Sequence, residues 1–299
     1  MEPELPVPDE SEFSFANVGQ EENAVVGFYD YDAETGTFEI WGNGSDVWGT
    51  SDHFSYVYRE VPEGDFTFTA RIVEFPSSAN NWSKAGIMLR EGTADGGFAT
   101  DSRYIATQTQ RSTDTDASGD NTKYVGFWRD LVGRQVTDDY RSNLNTDALV
   151  FPHWQRLTRE GNSVRGYISL DGVTWTEYMS VYAGEWEEGE LGSTLPLYVG
   201  LWSTSHSTLS TDSCAVFDNV SFVSGGEPPA PEGPVLAYAI EGEELVLRWA
   251  VSSGAVLEVS SEANGQWVLA GDPAEIEDGT YIYRLPLTEA AAFYRLIVE

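Results

Sequence analysis

Basic residues are scarce in this chain: 16 lysines and arginines stand against 49 aspartates and glutamates, a formal net charge of −33 at pH 7. A field of that sign repels phosphate backbones and anionic headgroups, which argues against nucleic acid or a membrane surface as a partner. Cysteine is rarer still. Cys214 stands alone, so no intrachain disulfide can form; in the strand-like run 213–217 it reads as a small core residue. One cysteine and three scattered histidines, His53, His153 and His206, supply no zinc-ligand spacing. No window approaches the roughly 18 apolar residues of a membrane helix, so membrane insertion is not expected. The acidic, proline-rich start, Met1-Glu2-Pro3-Glu4-Leu5-Pro6-Val7-Pro8, does not read as a signal peptide. It is expected to be a linker left by a removed leader or upstream domain, which places the chain outside the cell or at its surface.

What is present is β-forming material, with 13% aromatic and 41% hydrophobic residues. Phe66-Thr67-Phe68-Thr69-Ala70-Arg71-Ile72 alternates with period 2, the pattern of a half-buried strand. Residues 154–178 read as a three-stranded meander, turning at Glu160-Gly161-Asn162 and at Asp171-Gly172, where glycine tolerates the positive φ of a tight turn. No useful 3.6-residue period occurs before residue 225. The run Gly225-Gly226-Glu227-Pro228-Pro229-Ala230-Pro231-Glu232-Gly233-Pro234 is rich in residues that fix φ or donate no hydrogen bond, and reads as a linker. The expected layout is a linker over 1–12, a large β domain over 13–224, the Pro/Gly linker over 225–234 and a small β-module over 235–299. In that module strands are expected at 244–251, 255–260, 266–270, 280–287 and 293–298, around Trp249, Tyr281, Tyr283 and Tyr294. The fold class is all-β, an antiparallel two-sheet sandwich with a second, small Ig- or fibronectin-like module.

Several blocks, in order, resemble a bacterial family. They are Gly44-Ser45-Asp46-Val47-Trp48-Gly49-Thr50-Ser51-Asp52, the strand 66–72, Trp82-Ser83-Lys84-Ala85-Gly86-Ile87-Met88-Leu89-Arg90, the run from Trp154 to Trp175, Thr204-Ser205-His206 and Phe217-Asp218-Asn219-Val220. Together they are similar to the concanavalin-A-like (laminin-G-type) jelly rolls attached to large secreted bacterial proteins and glycosidases. The resemblance implies a jelly roll over about 13–223, usually a non-catalytic accessory domain contacting extracellular polysaccharide or cell-surface glycan. The ending Ala292-Phe293-Tyr294-Arg295-Leu296 resembles the short β-module that closes many such proteins.

Catalytic patterns are missing from the linear sequence. Jelly-roll glucanases carry Glu-x-Asp-x-x-Glu on one strand, and retaining hydrolysis needs two carboxylates held close together. The nearest run, Glu185-Trp186-Glu187-Glu188-Gly189-Glu190, lacks the alternation that would aim two acids into a groove. Ser169-Leu170-Asp171-Gly172-Val173-Thr174-Trp175 approaches a sialidase Asp-box but occurs once and reads as a turn anchor. No nucleophile with an adjacent base is apparent. The sequence therefore predicts a carbohydrate-binding or adhesion module without enzymatic activity, with a structural spacer as the alternative and a polysaccharide hydrolase or lyase behind both.

The expected sugar contacts come from glycines set between large side chains: Gly86 between Lys84, Met88 and Arg90, Gly126 between Tyr124 and Trp128, and Gly200 between Tyr198 and Trp202. Glycine within a strand marks a bulge or a close approach. Neighbouring strands would make a trough flanked by aromatics; the other reading is core beneath overlying loops. Trp48 and Trp82 are further sugar-contact candidates in loops, either displayed or anchoring. Calcium is the expected cofactor, because carboxylates and loop carbonyls suit it. The resemblance implies Asp218 as a ligand with Asp30 or Asp32, and the acidic run 114–121 offers Asp114, Asp116 and Asp120.

Overall fold

A computed structural model describes residues 8–20, 22, 24–75, 82–111, 122–139, 151–209, 213–225, 236–241, 244–250, 255–260, 268–270, 275–277, 280–286 and 293–298. The chain forms two compact units, Leu5–Pro228 and Pro229–Glu299. Among the described residues there is no α-helix, and no helix long and apolar enough to cross a membrane.

The larger unit is a two-sheet antiparallel sandwich. Its strands are β1 (Ser14–Val18), β2 (Phe28–Asp32), β3 (Thr37–Gly42), β4 (Phe54–Glu60), β5 (Phe66–Glu74), β6 (Lys84–Glu91) and β7 (Tyr104–Arg111). There follow β8 (Thr122–Arg129), β9 (Thr137–Asp139), β10 (His153–Glu160), β11 (Ser163–Ser169), β12 (Thr176–Tyr182), β13 (Leu197–Thr204) and β14 (Ser213–Ser224). One sheet runs β1-β4-β13-β6-β7-β8-β9 and the other β12-β11-β10-β5-β14-β3-β2. The alternation in β5 sends Phe66, Phe68, Ala70 and Ile72 between the sheets, where they meet Ile87, Leu89, Val199 and Leu201 from the first sheet. The meander appears as β10, β11 and β12, with a bulge opposite Gly166 and Tyr167. The bulge adds Tyr178 to the buried side next to Met179.

The first sheet also carries a second apolar cluster on its outer face. Phe54, Tyr56, Tyr104, Phe127 and Trp202 lie there fully buried, capped by Val47, Trp48, Phe98 and Val136 from connecting segments. Each such side chain contributes about 1.5–3 kcal/mol through burial, so this face stays covered. Within it a charge cluster is sealed from water. Asp52 accepts from Arg90 (2.7 Å) and, through both oxygens, from Arg129, and all three side chains are fully buried. Other guanidinium donors reach backbone carbonyls, Arg90 that of Ala99 (2.6 Å) and Arg129 those of Gly49 (2.8 Å) and Arg134 (2.9 Å), while Arg90 Nε is buried without a partner. Satisfying the spare donors is what makes buried charge tolerable.

The smaller unit pairs β15 (Ala237–Glu241), β16 (Glu244–Ala250), β19 (Glu275–Glu277) and β20 (Thr280–Pro286) in the order β15-β16-β20-β19. A second sheet runs β18-β17-β21, from β17 (Ala255–Ser260), β18 (Val268–Leu269) and β21 (Phe293–Val298). Leu247, Trp249, Leu257 and Leu296 form its core, and Trp249 Nε1 donates to the Ala255 carbonyl at 3.0 Å. Tyr281, Tyr283 and Tyr294 pack against that core half-buried.

Candidate functional site

The aromatic trough expected from the three glycine-bearing strands does not form. Ladder register puts Ile105, an inter-sheet residue, opposite Trp128, so Tyr124 and Trp128 face the interior and Gly126 faces Met179. Tyr198 and Trp202 face the opposite way, into the outer-face cluster. Trp202 is fully buried and its Nε1 donates to the Thr107 carbonyl (3.1 Å). Gly86 is required beside it, because a Cβ there would fall 2.2 Å from the Thr107 oxygen. Arg90 is occupied by Asp52, and Trp48 packs half-buried on Phe127 with ring centroids 5.4 Å apart. Of the six aromatic residues named as sugar contacts, Trp82 is the exposed one, at 53%.

Trp82 stands at one end of the sandwich beside three side chains brought there by separate segments. The chain between β3 and β4 pairs with the chain after β13 through reciprocal Gly44 and Ser207 backbone bonds of 3.2 and 2.9 Å. Gly44 has φ +117° and lies so close to the His53 carbonyl that a Cβ would fall 1.9 Å from its oxygen. Thr204 Oγ1 reinforces the junction by donating to the Gly44 carbonyl (2.8 Å), and Ser83 Oγ ties in the start of β6 by donating to the Ser205 carbonyl (3.1 Å). The result is a carboxylate, Asp46, between Lys84 Nζ at 2.9 Å and His206 Nε2 at 3.2 Å. Lys84 Nζ also donates to the Trp82 carbonyl (2.9 Å), and the Trp82 and His206 rings lie 6.5 Å apart.

The electrostatics follow from burial and pairing. Lys84 is almost wholly buried, whereas Asp46 and His206 remain partly open to water. Burial pushes the Asp46 carboxyl up, but the His206 hydrogen bond, the Lys84 charge and the Val47 N–H together outweigh it and leave the group below its ordinary range. Burial lowers the Lys84 amine, and Asp46 offsets only part of that. A carboxylate only accepts, so the neutral His206 ring bonded to it carries its proton on Nε2. His206 has φ +53°, a conformation that costs a non-glycine residue roughly 1–2 kcal/mol. Backbone strain of this kind gathers at functional sites.

The other histidines take different surroundings. His153 is fully buried, its Nε2 2.8 Å from Thr109 Oγ1. Gln155 joins that pair to Thr107 with bonds of 2.8 and 2.7 Å, and Tyr124 and Phe151 pack on the imidazole. His53 Nε2 lies 3.3 Å from Ser51 Oγ. Asp171 accepts from the Val173 and Thr174 N–H groups (2.9 and 2.7 Å), a turn anchor in the Asp-box manner. The Cys214 thiol is pushed up to about 12 by burial.

The residues expected to hold calcium are otherwise engaged where they are described. Arg71 pairs with both oxygens of Asp218, Asp30 accepts from the Tyr31 N–H (3.0 Å), and Asp32 accepts from the Glu34 N–H (2.8 Å) and from Thr35 Oγ1 (2.9 Å). Among the described residues no three His, Cys, Asp or Glu side chains converge as metal ligands. At Asp218 the Arg71 guanidinium fills the place a cation would take. Asp114, Asp116 and Asp120 lie outside the described residues.

No family model and no curated protein matches this sequence. Among solved structures, the chain is similar to a functionally unknown protein from Saccharomyces cerevisiae, with 15% identity and TM-score 0.46 over 73% of this chain and 99% of that one. It is also similar to the GH43 protein BlXynB from Bacillus licheniformis, with 14% identity and TM-score 0.46 over 73% of this chain but only 40% of that one. An alginate lyase from Klebsiella pneumoniae aligns with 10% identity and TM-score 0.40, over 73% and 97% of the two chains. The expectation of a non-catalytic module, and with it that of no enzymatic activity, is corrected here. Xylosidases and alginate lyases stand among the solved structures to which this β-sandwich is similar.

Proposed function

We propose that the protein is a polysaccharide-active enzyme that seats a sugar ring on Trp82 and moves a proton through His206. The observation that carries this reading is an exposed tryptophan beside an imidazole that a carboxylate orients, on backbone held in a strained conformation. An exposed indole offers an apolar face for the C–H side of a sugar. The His206 imidazole accepts a proton from the sugar or from an attacking water and returns it to the leaving oxygen as the glycosidic bond breaks, and Asp46 stabilises the intervening imidazolium, as a carboxylate does for a histidine base. Lys84 is a positioning residue: it holds the second Asp46 oxygen and ties it to the Trp82 backbone.

The test is turnover of polysaccharides, including xylan and alginate, by the full chain. His206→Asn keeps a residue that tolerates positive φ but removes the base, and it should lower turnover by about 10²–10⁴. Trp82→Ala should weaken substrate binding. Absence of turnover on every polymer, or turnover that survives His206→Asn, would sink the proposal.

A further inference from the structure

We infer that the sugar taken at this site is uncharged, a unit of a neutral polysaccharide rather than a polyuronate; the inference rests on the proposed function. Holding a uronate carboxylate requires a cation with donors to spare, and neutralising it is part of proton abstraction beside it. Lys84, the cation within the cluster, is enclosed: its side chain is 3% exposed, and two of its three N–H donors go to Asp46 and the Trp82 carbonyl. Among the described side chains, Arg71 is committed to Asp218, Arg103 to Glu91 and Arg134 to Asp130 and Glu187. Asp46 itself is an anion partly open to water at the place where the ring would lie. The net charge of −33 adds a long-range repulsion for any polyanion. A neutral ring suffers none of this, because stacking on Trp82 and hydrogen bonds to its hydroxyls are indifferent to the field.

Salt separates the two classes of substrate. Raising ionic strength from about 0.01 M to about 1 M shortens the Debye length from roughly 30 Å to 3 Å, which removes the repulsion of a polyanion and leaves a neutral polymer unaffected. Wild-type full chain and His206→Asn are assayed at both salts on a neutral xylan, a glucan and a mannan, and on alginate. The expected result is His206-dependent turnover of a neutral polymer, changing less than about twofold with salt, and none of alginate. His206-dependent turnover of alginate at low salt would overturn the inference and leave the proposed function standing. Turnover of neither class, or turnover indifferent to His206→Asn, would remove the proposed function and the inference with it.

Discussion

Two histidines in the same sandwich show how surroundings decide what an imidazole does. His153 lies between the sheets, its nitrogen on a threonine hydroxyl and its ring against Tyr124 and Phe151. His206 lies at the end of the sandwich, its nitrogen on a carboxylate and its ring beside an exposed tryptophan. The first belongs to a buried network with Thr109, Gln155 and Thr107, which specifies packing. The second has a charged partner, solvent access and strained backbone, the combination that proton transfer needs. Hydroxyl and aromatic neighbours are common to both; the carboxylate and the exposure are not.

Removing the carboxylate tests that contrast most severely. Asp46→Asn strands the Lys84 ammonium in a nearly closed environment. It should cost about 2–3 kcal/mol in urea unfolding, somewhat below the 3–5 kcal/mol of a wholly buried pair because Asp46 reaches water. The sign of the pH dependence follows from the lowered Asp46 carboxyl. Its contribution is fully present above the ordinary value of 3.8 and is lost as pH falls through the lower folded value. Stability measured from about pH 5 down to pH 2 should therefore fall less steeply in Asp46→Asn than in wild type. Equal slopes would mean that His206 and Lys84 do not hold the carboxylate.

The buried histidine should answer to a neutral change instead. Gln155→Leu leaves the hydroxyls of Thr107 and Thr109 without their amide partner and should cost roughly 1–3 kcal/mol. The loss should show no extra dependence on pH between 2 and 5, and turnover should be kept by the folded fraction. A loss of turnover as large as that of His206→Asn would transfer the catalytic role to the interior.

The smallest effect sharpens the contrast most. His206→Gly relieves the left-handed conformation and should raise stability by about 1 kcal/mol, less the entropy that glycine gains when unfolded. The same change should abolish turnover. A variant that is more stable and inactive is the signature of strain kept for function, and a destabilised one would make His206 a packing residue.

Much of this fold could be read from period and punctuation. The alternation of 66–72 became β5, the turn at 160–162 joined β10 to β11, and in the small module the runs 255–260 and 293–298 became β17 and β21. The face each strand presents was harder. Tyr124-Val125-Gly126-Phe127-Trp128 and Tyr198-Val199-Gly200-Leu201-Trp202 look alike, yet their aromatics point to opposite sides of one sheet, because facing depends on long-range register. The burial of Trp202 depends on Val47, Trp48, Phe98 and Val136, and no local pattern announces such covers. Lys84 pairs with an acid that lies 38 residues away. The convergence of Asp46 and Trp82 on His206 had no signal within reach of spacing rules, for it is made by three connecting segments.

The sealed cluster of Asp52, Arg90 and Arg129 bears on how the molecule breathes. Its guanidinium groups clip the carbonyls of Gly49, Ala99 and Arg134, one in each of three surface segments, to a single carboxylate. Such segments are ordinarily the first parts of a domain to fray. Here none can lift away without leaving a buried guanidinium N–H without its acceptor, so their opening is coupled through the cluster, and their amide protons should exchange as one cooperative block.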